Sequence, residues 1–396
     1  MAVRAYINKN TLQALRGLKK VSFAYIEKTT TFTQAIITKW EDVSQVDEKS
    51  YPTIVQAKKL AECYRVPFAA FFLEHDKLPQ SNLPNMVNKR ILLYGVSEDE
   101  SSVNLAIYDL LNKRDLFIET SKELGNEIEP FVMPTIAGDD VVAWGQALRS
   151  YFELNLSEQY RLSSKRQFYL YLRNKVERKG IFVNCFSGVR VEECRGFVIV
   201  DKVLPIIGIN AEDRPPAKSF SIIHEVVHLF NNVSSFCNVF FDNAANDADE
   251  VFCNAVAGEV LVPSDALDVI IREQRYSVFN SETIKFIAER FCVSREVITR
   301  RLLNMGKIVQ NEYDTLITLF ATELKQEKEK AKASGDKGIP KNVPRETFDK
   351  ISNQLCIALL HSFGEGLMTR YDVASYLAVK SRHIEKFLGE VYAWNR

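Results

Sequence analysis

Residues 220–230 read Phe-Ser-Ile-Ile-His-Glu-Val-Val-His-Leu-Phe, an apolar run that contains a His-Glu-x-x-His motif. On a helix, residues four apart lie on one face with Cβ atoms about 5 to 6 Å apart, so His224 and His228 can hold one metal ion together. Glu225 lies beside them and can take a proton from water at that ion. The motif predicts a buried helix with a zinc site and hydrolytic chemistry.

A third ligand has to come from another part of the chain. Catalytic zinc sites commonly use three protein ligands, for example two His and one carboxylate, and keep one position for water. The chain has only five histidines. The three outside the motif lie far from it in sequence: His75, His361 and His383. We therefore expect a carboxylate from a downstream helix.

Residues 246–263 are the best source of that carboxylate, since their apolar residues recur at helical spacing and a proline ends the run. Glu250 is the expected ligand, and Asn254, one turn later, is placed to orient it. Three other carboxylates remain as alternative ligands: Asp242, Asp247 and Asp249. Cys237 and Cys253 lack the short paired spacing of thiolate sites, and we interpret them as ordinary thiols.

Residues 204–263 resemble the ImmA/IrrE metallopeptidases, whose pattern is F-(S/T)-x-x-H-E-x-x-H-L followed by E-x-x-A-N-x-F-A-x-x-L-L-x-P. The residues at matching offsets are Phe220, Ser221, His224, Glu225, His228, Leu229, Glu250, Asn254, Ala257, Leu261 and Pro263. Cys253 replaces the usual Ala and Val256 the usual Phe. The resemblance implies one zinc ion with His224, His228 and Glu250 as ligands, Glu225 as general base, and a protein substrate, often a DNA-bound repressor.

The apolar run 204–210 ends just before the motif helix, and we expect it to be an edge strand. Its central residues would bind an extended peptide by strand addition: Ile206, Ile207, Gly208 and Ile209. The group that stabilises the oxyanion is left open among five tyrosines: Tyr151, Tyr160, Tyr169, Tyr171 and Tyr276.

The N-terminal 75 residues carry eleven basic and seven acidic side chains, whereas the whole chain is neutral. Their pattern predicts four short helices at 11–19, 22–28, 33–40 and 53–64, with Ser22 and Thr33 as N-caps. This segment resembles helix-turn-helix domains of the XRE type. The resemblance implies that the third helix enters the DNA major groove, with four residues near bases and phosphates: Gln34, Ala35, Thr38 and Lys39.

Two positions of this segment depart from the XRE pattern. Glu27 occupies the place of a small Ala between the helices, and Thr31 replaces the glycine of the turn. The loop 42–51 is also long and acidic. The alternative to DNA binding is a helical module for homodimerisation or contact with a partner.

Composition sets the remaining expectations. A chain of 396 residues with 46% hydrophobic residues can form two or three domains. Seven cysteines without paired spacing favour a reducing compartment. The N-terminus lacks the apolar segment of a signal peptide, and no stretch has the roughly 18 apolar residues of a membrane span. We therefore expect a cytoplasmic protein that makes no membrane contact.

We predict an α+β, mostly helical fold with a small sheet, built from strands near 181–185, 197–200 and 204–209. The expected domains are a helix-turn-helix at 1–76, a helical connector at 77–134, a zincin-like peptidase at 135–315, a charged linker at 316–345 and a C-terminal helical module at 346–396.

Two functions are consistent with these features. The first is a zinc metallo-endopeptidase and transcriptional regulator that cleaves a specific regulatory protein. The alternative is an XRE-type repressor or antitoxin that binds DNA and a toxin partner, with the metal domain used for sensing or binding.

Overall fold

The computed structural model describes residues 3–78, 86–88, 99–232, 234–237, 248–333 and 342–394. Helices dominate these residues, and the strands form one small mixed sheet. The predicted fold class, α+β and mostly helical, is confirmed. Within the described ranges, no helix combines the length and the apolar character that a membrane crossing requires.

Four N-terminal helices share a hydrophobic core of their own. They are α1 (Lys9–Leu18), α2 (Phe23–Thr30), α3 (Gln34–Glu41) and α4 (Ile54–Tyr64). Each bound lies within two residues of the prediction. The Ser22 hydroxyl accepts a hydrogen bond from a backbone amide at the start of α2, as an N-cap does. Thr33 has the extended backbone of an N-cap, but its side chain makes no capping bond.

The turn between α2 and α3 contains a residue in the left-handed backbone region, although that residue is not a glycine. Thr31 has φ 70°, a conformation that a β-branched side chain rarely adopts and that costs on the order of 1 kcal/mol. Glu27 is exposed and does not separate the two helices. Neither departure from the XRE pattern therefore prevents the two helices from packing.

A long helix, α5 (Ser101–Glu123), joins the N-terminal bundle to the rest of the protein. Nearly every residue from Ser101 to Leu111 is buried, so this half of the helix is covered on all sides. Leu105 belongs to the core of the bundle, whereas Ile107 and Leu110 belong to the main core. The predicted connector region thus includes a helix that is part of both cores.

The sheet lies at the centre of the main core. The elements that build this region are α6 (Val141–Tyr151), α7 (Leu156–Arg161), α8 (Lys165–Glu177), α9 (Pro215–Phe230) and α10 (Ala248–Leu261), with strands β1 (Val87–Asn88), β2 (Phe182–Phe186), β3 (Gly196–Ile199), β4 (Ile206–Asn210) and β5 (Ser235–Cys237). The strand order is β1-β5-β3-β4-β2. The β2–β4 and β1–β5 pairs are parallel, and β3 is antiparallel to both of its neighbours.

The expectation that residues 206–209 form an edge strand is wrong. β4 pairs with β3 on one side, where Ile207 faces Val198, and with β2 on the other, where Ile206 faces Phe182. Its backbone groups are therefore already paired, and a substrate peptide cannot add to it. All residues of β4 are buried, which accounts for the continuous apolar run.

Eight further helices follow α10 within the described ranges. They are α11 (Ser264–Glu273), α12 (Ser281–Arg290), α13 (Arg295–Asn304), α14 (Gln310–Ala333), α15 (Val343–Lys350), α16 (Asn353–Gly364), α17 (Arg370–Tyr376) and α18 (Ile384–Trp394). The structure differs from the predicted linker at its start, because α14 continues through residue 333 and buries Leu316 and Phe320 in the main core. Residues 334–341 lie outside the described part.

Buried polar contacts tie the C-terminal helices to α8. The Arg173 guanidinium is fully buried and donates hydrogen bonds to the carbonyls of Phe348 (3.1 Å) and Asp349 (3.0 Å). Glu177, also fully buried, accepts one from the Asn353 amide at 3.0 Å. Burial raises the pKa of Glu177 to about 7 despite the nearby Arg173 charge. These groups fix the chain where α15 ends and α16 begins.

We expect Arg173→Met to lower the free energy of unfolding by about 3–5 kcal/mol, because it leaves Glu177 without its cation and removes the donor to the buried Phe348 carbonyl. Urea unfolding followed by circular dichroism measures the change. Arg178→Met, an exposed arginine one residue beyond α8, is the matched control and should shift stability by no more than about 0.5 kcal/mol. Equal effects of the two substitutions would contradict the conclusion that Arg173 stabilises the attachment of the C-terminal helices to α8.

Candidate metal centre

The motif lies on α9, which begins with two prolines in its first turn and is buried from Lys218 to Phe230. β3 and β4 pack on one side of this helix, and α8 and α10 pack on others. A helix that is apolar on most faces is stable only in such an enclosed position. The enclosure also removes His224, Glu225 and His228 from water, so these polar groups need partners from the protein or from a ligand.

Glu250 on α10 meets the two histidines of α9. Its Oε2 lies 3.2 Å from Nε2 of His224, and its Oε1 lies 3.1 Å from Nε2 of His228. The two Nε2 atoms are 3.1 Å apart. All three side chains are buried, and the three ligand atoms lie within 4.8 Å of one another. The structure therefore brings together the three residues that the sequence predicted as ligands.

The hydrogen bonds with both imidazoles control the charge of Glu250. Burial alone would raise the pKa of this carboxyl, but the bonds to His224 and His228 hold it well below its usual range. A carboxylate and two imidazole nitrogens form a donor set that zinc sites use. The three side chains thus fit a divalent metal ion with further coordination positions left for other ligands.

The carboxyl of Glu225 is left unsatisfied by the described part of the chain. It is fully buried, and neither carboxyl oxygen has a hydrogen-bond partner among the described residues. Burial and the neighbouring Glu250 charge raise the pKa of Glu225 well above its usual value. A buried carboxyl without a partner is costly, and such exceptions call for a ligand or a chemical role. Its position beside the cluster supports the predicted role as a base.

Gly196 provides space for Glu225, and the sequence analysis missed it. A Cβ atom at Gly196, the first residue of β3, would lie 2.6 Å from Oε1 of Glu225. A side chain there would force Glu225 or the strand to move. The available signal was a glycine at the start of an apolar strand, which often marks a close approach by another group. Its partner became evident only in three dimensions.

Cys253 also contacts the site. Its Sγ lies 3.6 Å from Nδ1 of His228, the ring nitrogen on the opposite side from the one near Glu250. The thiol is buried as expected, and it contributes to the surroundings of His228 rather than to the ligand cluster. Groups at the second nitrogen of a ligand histidine set its orientation. The side chain of Cys237 lies outside the described residues.

Of the other predicted carboxyl and amide groups, the structure describes Asp249 and Asn254. Asp242 and Asp247 lie outside the described residues, and Asp249 is exposed beside Glu250 on α10. The hydrogen bond that we expected from Asn254 to Glu250 is not among those that the described residues make. Asn254 is buried and its Oδ1 has no partner there. An orienting role for Asn254 therefore stays a prediction.

A cleft of about 590 Å³ opens beside His228. Trp144 and Phe252 form its apolar wall, with their rings edge to face at 5.3 Å. Asp139 and Asp249 add negative charge to the lining. The cluster is thus reachable from one side, through a space of the size that small-molecule pockets and peptide side chains occupy.

None of the five tyrosines considered for the oxyanion lines this cleft. Tyr169, on α8, is buried and donates a hydrogen bond to the carbonyl of Asp349. Tyr171, on the same helix, donates a hydrogen bond to the Glu158 carboxylate. Tyr160 packs on Phe291. Their described contacts place them in the framework of the domain, so the oxyanion group is not assigned among them.

On α3, Gln34, Ala35 and Thr38 are exposed and Lys39 is half-buried. The four residues therefore share an accessible helix surface, as a DNA-contacting helix requires. DNA binding by α3 stays a prediction.

Residues 177–303 match the model of a peptidase family, Peptidase_M78, described as IrrE N-terminal-like domain. The matched span runs from the end of α8 into α13 and contains His224, Glu225, His228 and Glu250. This part of the chain is similar to the IrrE N-terminal-like peptidases, which confirms the peptidase part of the predicted resemblance. No curated protein and no solved structure matches the chain. The N-terminal helices lie outside the matched span.

We expect Glu250→Gln to abolish high-affinity zinc binding, because it removes the only carboxylate of the three-ligand cluster. Zinc content after dialysis should fall from about one ion per chain to near zero, and the zinc-dependent rise in Tm should disappear. Asp249→Asn is the matched control, since it removes an exposed carboxylate next to Glu250 on the same helix. Zinc loss in the Asp249 variant alone would instead identify Asp249 as the ligand.

Proposed function

We propose that this protein is a zinc-dependent metallo-endopeptidase that regulates transcription by cleaving a specific regulatory protein, such as a DNA-bound repressor. One observation carries the proposal: two histidines of α9 and Glu250 of α10 meet within 4.8 Å, and the unsatisfied carboxyl of Glu225 adjoins them on the same helix. The match of residues 177–303 to a peptidase family supports the same chemistry.

Each residue has a defined task in this reaction. When bound, zinc supplies a Lewis acid for the scissile carbonyl and lowers the pKa of water toward neutrality. Glu225 takes the proton of the attacking water and passes it to the leaving amine. Gly196 keeps the space that this carboxyl needs. The cleft beside His228, with Trp144 and Phe252, admits a substrate side chain.

Glu225→Gln should retain the metal and lose proteolysis by a factor of about 10² to 10⁴, because the amide cannot accept the water proton. Cleavage is measured by mass spectrometry of new termini after incubation with the products of neighbouring genes, with and without a chelator.

Gly196→Ala should also retain zinc and cleave more slowly, because the added methyl group displaces Glu225.

Glu212→Gln makes the same chemical change on an exposed carboxyl just before α9 and should cleave at the wild-type rate. Cleavage that survives both the chelator and the Glu225→Gln change would exclude this mechanism. Stable binding of a neighbouring gene product without any cleavage would favour the second function, a repressor or antitoxin that holds a toxin.

The exposed surface of α3 favours a DNA-binding role for the N-terminal helices in either function. We expect the double change Gln34→Ala, Lys39→Ala to weaken binding to the protein's own promoter about tenfold or more, because a lost base contact costs about 1–3 kcal/mol. Lys49→Ala also removes one exposed positive charge, outside α3, and should weaken binding less. A gel shift measures both. Equal binding by wild type and the double variant would rule out α3 as the groove-binding helix.

A further inference from the structure

A second cavity, of about 460 Å³, lies where three parts of the chain meet. We call it the junction pocket. Its lining comes from the end of α4, from α5, from the end of β2 and the turn after it, and from the C-terminal helices α15 and α17. The family match ends before α15, and α4 and α5 precede it, so the pocket includes elements on both sides of the matched span.

The charge of the junction pocket is unbalanced. Three basic residues line it, Arg65, Lys113 and Lys350, against one acidic residue, Asp109. Arg65 forms an ion pair with that acidic residue, since its Nη1 lies 2.5 Å from the Asp109 carboxylate. Its other terminal nitrogen donates to the Ser187 carbonyl at 3.1 Å. Among the described lining residues, the charges of Lys113 and Lys350 therefore have no carboxylate partner.

Lys113 is the more unusual of these two lysines. It lies one turn after Asp109 on α5, yet within the described residues its ammonium makes neither a hydrogen bond nor an ion pair. Loss of solvation lowers the pKa of Lys113, against the opposing effect of the Asp109 charge. Lys113 is half-buried. A cation that has lost part of its hydration without gaining a protein partner is less stable, and a bound anion relieves that cost.

The remaining lining combines two polar residues, Ser187 and Thr347, with an apolar wall. Leu110, Phe186, Ile351 and Leu377 contribute hydrocarbon surface. Gly188, with φ 77°, lets the turn after β2 approach Arg65, since a Cβ atom there would lie 2.7 Å from Nη2. A cavity of a few hundred Å³ with apolar walls and a few converging charges is typical of small-molecule sites.

We propose that the junction pocket binds a small organic anion, a phosphate ester or carboxylate with an apolar portion, through Lys113 and Lys350. The anionic group lies between the two ammonium groups, and the apolar portion contacts the hydrocarbon wall. Because the lining includes α4, α5 and α15, the ligand contacts the N-terminal bundle, the connecting helix and the C-terminal helices at once. The site is separate from the metal centre and does not rest on peptidase activity.

Titration calorimetry on the full chain at constant ionic strength tests the site with three probes that share one ring: phenyl phosphate, benzoate and benzyl alcohol. We expect at least one of the two anions to bind and the neutral alcohol to bind far more weakly. Preference between phenyl phosphate and benzoate distinguishes a phosphate ligand from a carboxylate ligand. Equal binding of the alcohol, or no anion binding up to about 10 mM, would overturn the proposal.

Lys113→Met and Lys350→Met should each weaken anion binding about tenfold or more, since each removes a charged hydrogen-bond donor. Lys113→Arg keeps the charge and should recover most of the affinity. Lys386→Met, on the exposed side of α18, is the charge-matched control and should leave the affinity unchanged. Circular dichroism checks that each variant is folded. Anion binding that is equal in the wild type and both Met variants would place the ligand elsewhere and overturn the assignment.

Discussion

The enclosure of α9 is the constraint on which the rest of the structure depends. A helix buried from residue 218 to residue 230 carries two imidazoles and a carboxyl that are almost completely removed from bulk water. Such groups are tolerated only where partners come from neighbouring elements or from a ligand. Helix α10 therefore has to pack where Glu250 contacts the histidines. Strand β3 has to begin with a glycine, because a side chain at this position would collide with Glu225. The packing of the sheet and of α10 around α9 is thus inseparable from the chemistry of the site.

Polar contacts, fully or partly buried, also organise the periphery. Arg173 and Glu177 on α8 hold the chain between α15 and α16. The ion pair of Arg65 with Asp109 joins the N-terminal bundle to α5. These contacts are few and directional, whereas the apolar core between them is continuous from α5 to α18. Specific polar links therefore set where the outer helices attach, and apolar burial supplies most of the cohesion.

The metal-ligand cluster and the junction pocket have no residue in common. The metal cluster lies between α9 and α10, with its cleft toward α6. The junction pocket lies at the far end of β2, where the bundle and the C-terminal helices converge. A ligand there would contact elements that do not touch the metal cluster directly.

Much of this protein follows from local sequence alone. The His-Glu-x-x-His spacing specified a helix with two ligands, and the downstream carboxylate with its terminal proline indicated α10, because helical periodicity and metal chemistry are local properties. What only the tertiary structure decided is which groups meet across elements. β4 became an interior strand, Gly196 came against Glu225, Cys253 came against His228, and Lys113 came to line a cavity with Lys350. No residue pattern along the chain encodes these pairings, because each depends on how separate elements pack and on the desolvation that this packing imposes.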